Sequence, residues 1–339
     1  MLSAGIQWQR LTLQLHNPFR LSYGVSETRI SYWLRLPEDS GWGEGTLPPY
    51  YGVDLAEVEI FWQAVVDSAR QLPDDPGEIE AWVGLRGPAP ARCGLEIALY
   101  DRLARQQGQP FYRFFDLPQP SGLSTSFTIA IDTPEAMAEM ARTRPDYPVI
   151  KVKLGSEDDY TRLRAIRDAR PDARLRIDAN AGWTFEETVR NIRALEVLDL
   201  EMIEQPLPKE DIEGLGRVQK ETGIPVVADE SVQTMEDIER LAAAGVRGIN
   251  LKLMKVGGLS AALRMLRRAR ELGLQVMLGC MVETSIGTTA MAHLSGLADW
   301  VDLDAPLLIR NDPFDGVRYD KNLRITVPER PGTGVVMRD

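Results

Sequence analysis

Charged residues recur through the second half of this 339-residue chain at nearly regular intervals. Lys153, Asp178, Glu204, Asp229 and Lys252 stand 25, 26, 25 and 23 residues apart. Each lies near the end of a short apolar run: "VIKVKLG", "LRIDAN", "LEMIEQP", "PVVADES" and "GINLKLM". If Asp178, Glu204 and Asp229 converge, they suit a hard divalent cation. Mg²⁺ takes a few carboxylates and leaves its other octahedral positions to water or substrate oxygens. Without a metal, three converging anions are costly to keep ionised. The lysines are the second set. Lys151 and Lys153 share one strand face, as do Asn250 and Lys252 on a later run. A lysine whose pKa falls on burial or beside other cations is a usable base. The plain alternative for each is a salt bridge to the carboxylates, above all for Lys151. Lys255 has the wrong strand parity for this group. Asn180, two residues after Asp178, shares its face and suits orienting a ligand. Finally, "WVDLDAPLL" puts Asp302 and Asp304 on one face of a buried run, where they repel unless a cation lies between them.

The elements that must carry these groups follow from the texture around them. Eight β-runs, from "SFTIAI" through "LQVMLGC" to "DWVDLDA", alternate with amphipathic stretches such as "TFEETVRNIRALEVL" and "TMEDIERLAAAG". Such alternation predicts a (β/α)8-type barrel, whose active sites gather at the C-terminal ends of the strands. The step of one βα unit between charges then places them in one ring. Strands two and six, bearing the lysine pairs, lie roughly opposite. An open doubly wound sheet is the structural alternative, but no GxGxxG follows the first strand. Residues 1–120 read as an α+β unit, with strands in "IQWQRLTLQL" and "ISYWLRLPEDSGWGEG" and helices near Leu55–Gln71 and Arg92–Gln107. "DLPQPSGLSTS" marks a boundary, residues 121–310 form the barrel, and 311–339 fold back on the first unit.

Composition narrows the function classes. Thirty-nine basic against 50 acidic residues give −11, which argues against nucleic acid. Apolar runs fall far short of the roughly 20 residues of a membrane span. The N-terminus alternates like a strand and lacks a signal peptide's regions. Two cysteines, Cys93 and Cys280, make no disulfide framework, so a reduced, cytoplasmic setting is expected.

"IKVKLG", "DANAGW", "EQPL", "ADES" and "NLKLMKVGG", in that order, resemble the enolase superfamily and its muconate-lactonizing-enzyme subgroup. "GCMVET" followed by "DLDAPLL" is similar, more narrowly, to the dipeptide epimerases, L-Ala-D/L-Glu epimerases among them. The resemblance covers essentially the whole chain. It implies an α/β fold: a (β/α)7β TIM-like barrel with an N-terminal α+β capping domain completed by the C-terminal tail. It implies one Mg²⁺ on Asp178, Glu204 and Asp229, with Lys153 and Lys252 as the two acid/base catalysts. Lys151 would stabilise an enediolate, and Asp302 and Asp304 would bind a dipeptide's free ammonium. Thr128, Cys280 and Val282 would make further substrate contacts. The implied reaction inverts the α-carbon of the C-terminal residue of a dipeptide. A homo-oligomer is compatible with this reading.

One departure bears on specificity. Ala-Glu-specific members resemble each other in an arginine a few residues after "PF"; here "NPFRLSYGVSE" has Gly24 there, with Arg20 close by. Tyr23, Tyr50 and Tyr51 are candidates to line a pocket for a neutral or apolar side chain, or are surface aromatics. N-acylamino acid racemisation, o-succinylbenzoate synthesis and lactone formation are alternatives on the same fold. They lack the ammonium that Asp302 and Asp304 would bind. A Schiff-base aldolase using Lys252, or a non-catalytic binding protein, are the readings from other classes.

Overall fold

The computed structural model describes residues 5–22, 24–47, 52–120 and 122–338, so Tyr23, Tyr50 and Tyr51 lie outside the described residues. Three antiparallel strands come first, β1 (Gln7–Leu21), β2 (Gly24–Arg35) and β3 (Trp42–Thr46). Helices α1 (Leu55–Asp67), α2 (Ile79–Val83), α3 (Ala89–Gln106) and α4 (Phe111–Phe114) follow. The second expected helix begins three residues earlier than its apolar spacing suggests, because Pro90 sits in its first turn, where a missing N–H costs nothing. Strand β3 lies directly on α3. A Cβ at Gly43 would run into the backbone carbonyl of Gly94, so this approach requires glycine.

The second half is an eight-stranded parallel sheet in sequential order. Its strands are β4 (Phe127–Ile129), β5 (Val149–Lys153), β6 (Arg174–Asp178), β7 (Leu200–Glu204), β8 (Val226–Ala228), β9 (Gly248–Leu251), β10 (Gln275–Gly279) and β11 (Trp300–Asp302). Between them run α5 (Pro134–Arg142), α6 (Asp159–Ala169), α7 (Phe185–Leu195), α8 (Ile212–Glu221), α9 (Met235–Ala244), α10 (Leu253–Val256), α11 (Leu259–Glu271) and α12 (Ser285–Ala292). Several starts are written locally. Thr184 with Glu187, and Thr234 with Asp237, form reciprocal capping boxes on α7 and α9.

Period-two alternation sorts the strand side chains. Ile150, Val152, Ile177 and Ile203 belong to the main core. A separate small cluster, Met202, Val227, Met277 and Trp300, is made by residues two positions before Glu204, Asp229, Gly279 and Asp302. It therefore fills the barrel beneath the charged layer, as stacked layers do in such barrels.

Two glutamates of the capping domain join the halves by capping barrel helices. Glu44 accepts from Thr284 N (2.8 Å), Thr284 Oγ1 (2.7 Å) and Gly287 N (2.9 Å) at the start of α12. Glu96 accepts from Ser260 N (2.8 Å) at the start of α11. After α13 (Ala305–Leu308) the tail forms two short antiparallel pairs, β12 (Phe314–Asp315) with β15 (Val336–Met337) and β13 (Arg318–Tyr319) with β14 (Ile325–Thr326). The tail reaches the capping domain: Phe314 packs edge-on against Trp42, and Thr333 donates through N and Oγ1 to Asp101. Among the described residues, no helix is long and apolar enough to cross a membrane.

Candidate active site

The C-terminal ends of the barrel strands open into a cavity of about 70 Å³, roofed by the capping domain. Thr128, Lys151, Lys153, Lys252, Cys280, Val282, Asp302 and Asp304 all line it. Asp178, Glu204 and Asp229 lie fully buried behind its wall, each with one carboxylate oxygen within 4.8 Å of the others'. These eleven candidate metal, lysine and substrate-contact residues therefore meet at one place.

The lysines and acids interlock. Lys153 Nζ lies 2.6 Å from Asp178 Oδ2, and Lys252 Nζ lies 2.7 Å from Asp229 Oδ2. Their strands stand four apart in the sheet of eight, so the two Nζ groups approach from opposite sides. Lys151 Nζ bridges Glu204 Oε2 (2.6 Å), Asp302 Oδ2 (2.7 Å) and Asp178 Oδ2 (3.1 Å). A protein cation therefore already serves Asp302, and the salt bridge weighed for Lys151 is present. Asp304 instead accepts from Thr128 N at 2.8 Å. It follows the end of β11 and starts α13, so the two acids are not carried on one continuous strand.

Lys255 belongs here too. Parity arguments assume a strand through Met254, but the chain turns into helix α10 at Leu253. A helical turn brings residue i+3 back to the same side. Lys255 Nζ lies 2.5 Å from Asp229 Oδ1 and also donates to Asn250 O at 2.9 Å. Glu230, which stands with Asp229 among the charged groups at the β-run ends, is a further member of the site. Its Oε1 accepts from Asn180 Nδ2 at 3.2 Å, and its position beside Asp229 in "ADES" is the sequence signal for it. Gly279 keeps room for Lys252, since a Cβ there would stand 2.9 Å from Lys252 Cε and press on the Asn250 amide. Arg20 is exposed and lines a neighbouring cavity; the arginine that the β1–β2 hairpin brings to this one is Arg29.

Burial pushes every acid here upward, and the lysines pull some of them back. Burial works on Asp178 and Asp229, yet Lys153 and Lys151 hold the first below the usual range, and Lys252, Lys255 and Lys151 hold the second there. Burial, then the Asp178 charge, carries Glu204 to about 8. Asp302 is also buried, but Lys151 brings it down to about 2. Burial and the neighbouring Asp302 lift Asp304 to about 7. Lys151 itself is opposed by burial, but Asp302, Glu204 and Asp178 keep it well above its ordinary value, a permanent ammonium. The site is thus short of positive charge in two places, at Glu204 behind the wall and at Asp304 on it.

The residues fit a divalent cation. Among buried side-chain atoms without a hydrogen bond of proper angle are four acceptor oxygens around this group: Asn180 Oδ1, Glu204 Oε2, Glu230 Oε2 and Asn250 Oδ1. Glu204 Oε2 lies 2.6 Å from the Lys151 ammonium. Oxygens of one octahedral Mg²⁺ shell stand roughly 3–4 Å apart, so carboxylates within 4.8 Å need only a small inward adjustment.

Known proteins resemble the chain over its whole length. The family model described as "Enolase C-terminal domain-like" matches residues 134–339. An L-Ala-D/L-amino acid epimerase of Maribacter sp. is 33% identical, over 98% of this chain and 99% of that protein. A hydrophobic dipeptide epimerase of Roseobacter litoralis is 33% identical, over 98% of both chains. The solved structure of a dipeptide epimerase from Enterococcus faecalis V583, complexed with Mg and the dipeptide L-Leu-L-Tyr, superposes with a TM-score of 0.90 at 30% identity, covering 97% of this chain and 98% of that one. Barrel, capping domain, charged ring and these likenesses agree: the chain belongs to the enolase superfamily, as an enolase C-terminal domain-like protein.

Proposed function

We propose that the chain is an Mg²⁺-dependent dipeptide epimerase, an isomerase inverting the α-carbon of the dipeptide's C-terminal residue. The observation that carries this reading is the one cavity lined by opposed Lys153 and Lys252 and by the acid pair Asp302 and Asp304. The Maribacter and Roseobacter epimerases and the Mg–dipeptide complex of the Enterococcus enzyme support it.

Asp178, Glu204 and Asp229 would hold the ion, which when bound would supply Lewis-acid stabilisation of the negative charge developing on the substrate carboxylate. The Lys151 ammonium faces the same developing charge. The α-proton leaves to Nζ of one lysine, Lys153 or Lys252, in its neutral amine form, as the C–H electron pair moves into the carboxylate, while the other lysine carries a proton as its ammonium. Nζ of the other returns a proton to the opposite face, and the centre is inverted. Asp302 and Asp304 receive the substrate's α-ammonium, whose charge relieves the strain that lifts Asp304. Thr128, Cys280 and Val282 complete the substrate contacts. Phe19, Leu21 and Leu47 on the cavity's capping wall support a neutral or apolar C-terminal side chain, as does the Roseobacter protein's name, whereas Arg29 on the same wall would pair with an acidic one. Residues 1–120, 121–310 and 311–339 are the capping domain, the barrel and the returning tail in this reading.

Chelation should abolish turnover, and added Mg²⁺ should restore it. A free dipeptide should exceed its N-acetyl form in kcat/KM by roughly 30-fold or more, the effect of losing a charge-assisted contact to a buried partner. Equal values for the two would remove the ammonium from the account and favour an acylamino acid racemase.

A further inference from the structure

Neighbouring strands of the barrel pair through backbone ladders from β4 to β11, but among the described residues β4 and β11 share none. The barrel has a seam, and side chains stitch it. Leu303 N donates to Thr125 Oγ1 at 2.7 Å. Ser126 Oγ donates to Asp302 Oδ1 at 2.5 Å, and Thr128 N donates to Asp304 Oδ2 at 2.8 Å. On the eighth strand's free edge, Val301 O accepts from the buried Arg176 across the barrel (2.8 Å) and Leu303 O accepts from Tyr319 of the tail (2.7 Å). Thr125 and Ser126 are themselves completely buried, and Thr125 N is held by Leu323 O.

We infer that Ser126 and Thr125 are positioning residues for recognition of the substrate's ammonium, an inference that rests on the reading of Asp302 and Asp304 given above. The geometry divides the labour. Asp302 has one oxygen on Lys151 and the other on Ser126, so its carboxylate plane is fixed from both sides. Thr125 grips the peptide of Leu303, the residue between the two acids, and so sets their separation. A ladder between β4 and β11 would place backbone groups in the gap. The seam leaves the gap to two hydroxyls, which orient the acids without neutralising them. Neither hydroxyl lines the cavity; both act through the acids.

The test compares KM and kcat for a free dipeptide with Ki for its N-acetyl form, on Mg²⁺-loaded full-length protein. Ser126→Ala should raise KM about tenfold, the size of one lost hydrogen bond to a charged group, with kcat within roughly threefold. The Ki of the N-acetyl form should not move, and Ser126→Thr, which restores the hydroxyl, should restore KM. Thr125→Val should follow Ser126→Ala, and Thr125→Ser should match the parent. The Thr125 pair decides the matter if thermal unfolding shows Ser126→Ala to be misfolded. A parent-like KM in Ser126→Ala and Thr125→Val overturns the inference, as does a loss shared equally by kcat, KM and N-acetyl Ki. Asp302→Asn separates the two levels: if it leaves the preference for the free amine intact, the ammonium reading itself fails.

Discussion

Lys153 and Lys252 each sit on a carboxylate of the metal-binding group, and their opposed approach makes a specific demand on single substitutions. Lys153→Ala and Lys252→Ala should each lower epimerisation by about 10²–10⁴, the usual worth of a positioned proton carrier. Each variant should still exchange the α-proton with solvent for one substrate configuration and not the other. Deuterium uptake followed separately for L,L- and L,D-dipeptides checks this; two variants that both epimerise at the parent rate would refute the two-base assignment. Lys255 offers a stability test instead. Asp229 is fully buried between Lys252 and Lys255; with Lys252 still paired to it, removing Lys255 leaves buried acceptors without a donor, at a cost of about 1–3 kcal/mol. Lys255→Met should lose that much in denaturant unfolding of the metal-free protein, and a loss below about 1 kcal/mol would contradict it. The ring of acids and lysines is legible in the sequence because each member ends a β-run one βα unit from the next. Lys255 is not, because the strand turns to helix one residue after Lys252.

Helix starts built from neighbouring residues, such as Thr184 with Glu187, can be read from sequence, whereas those built from the other half of the chain cannot. Glu44 and Glu96 cap α12 and α11 from 240 and 164 residues away, and nothing near either helix announces its partner. The Glu96 cap has a pH signature. Burial, and secondarily the charge of Glu80, lift its carboxyl to about 7. An acid raised in the folded state binds its proton more tightly there, so its contribution to stability is present below about pH 4.5 and is lost as pH rises towards 7. Glu96→Gln keeps an acceptor for Ser260 and does not titrate. Relative to the parent it should therefore gain stability, on the order of 3 kcal/mol, between pH 4.5 and 8. Urea unfolding of both proteins across that range reads the difference, and parallel pH profiles would count against the cap as drawn.

The whole molecule is a barrel that supplies chemistry, a capping domain that roofs it, and a tail that binds the two. Alternation of β-runs and amphipathic stretches makes the barrel legible, because the strand ends, and helix starts such as those of α7 and α9, are coded locally. Its seam is not legible, since Thr125, Ser126 and Tyr319 read as ordinary polar residues until the chain closes on itself. The same holds for Arg29, whose place in the cavity depends on how the hairpin lies over the barrel. What the assembled molecule should do is invert one carbon. The most direct measurement is proton NMR of L,L-dipeptides with apolar C-terminal residues, incubated with the protein and Mg²⁺ in D₂O. The account predicts loss of the α-proton signal from the C-terminal residue alone, deuterium at that carbon, and growth of the L,D-diastereomer, all stopped by chelation. Exchange at the N-terminal residue, turnover undiminished by chelator, or complete retention of configuration throughout a dipeptide panel would contradict it.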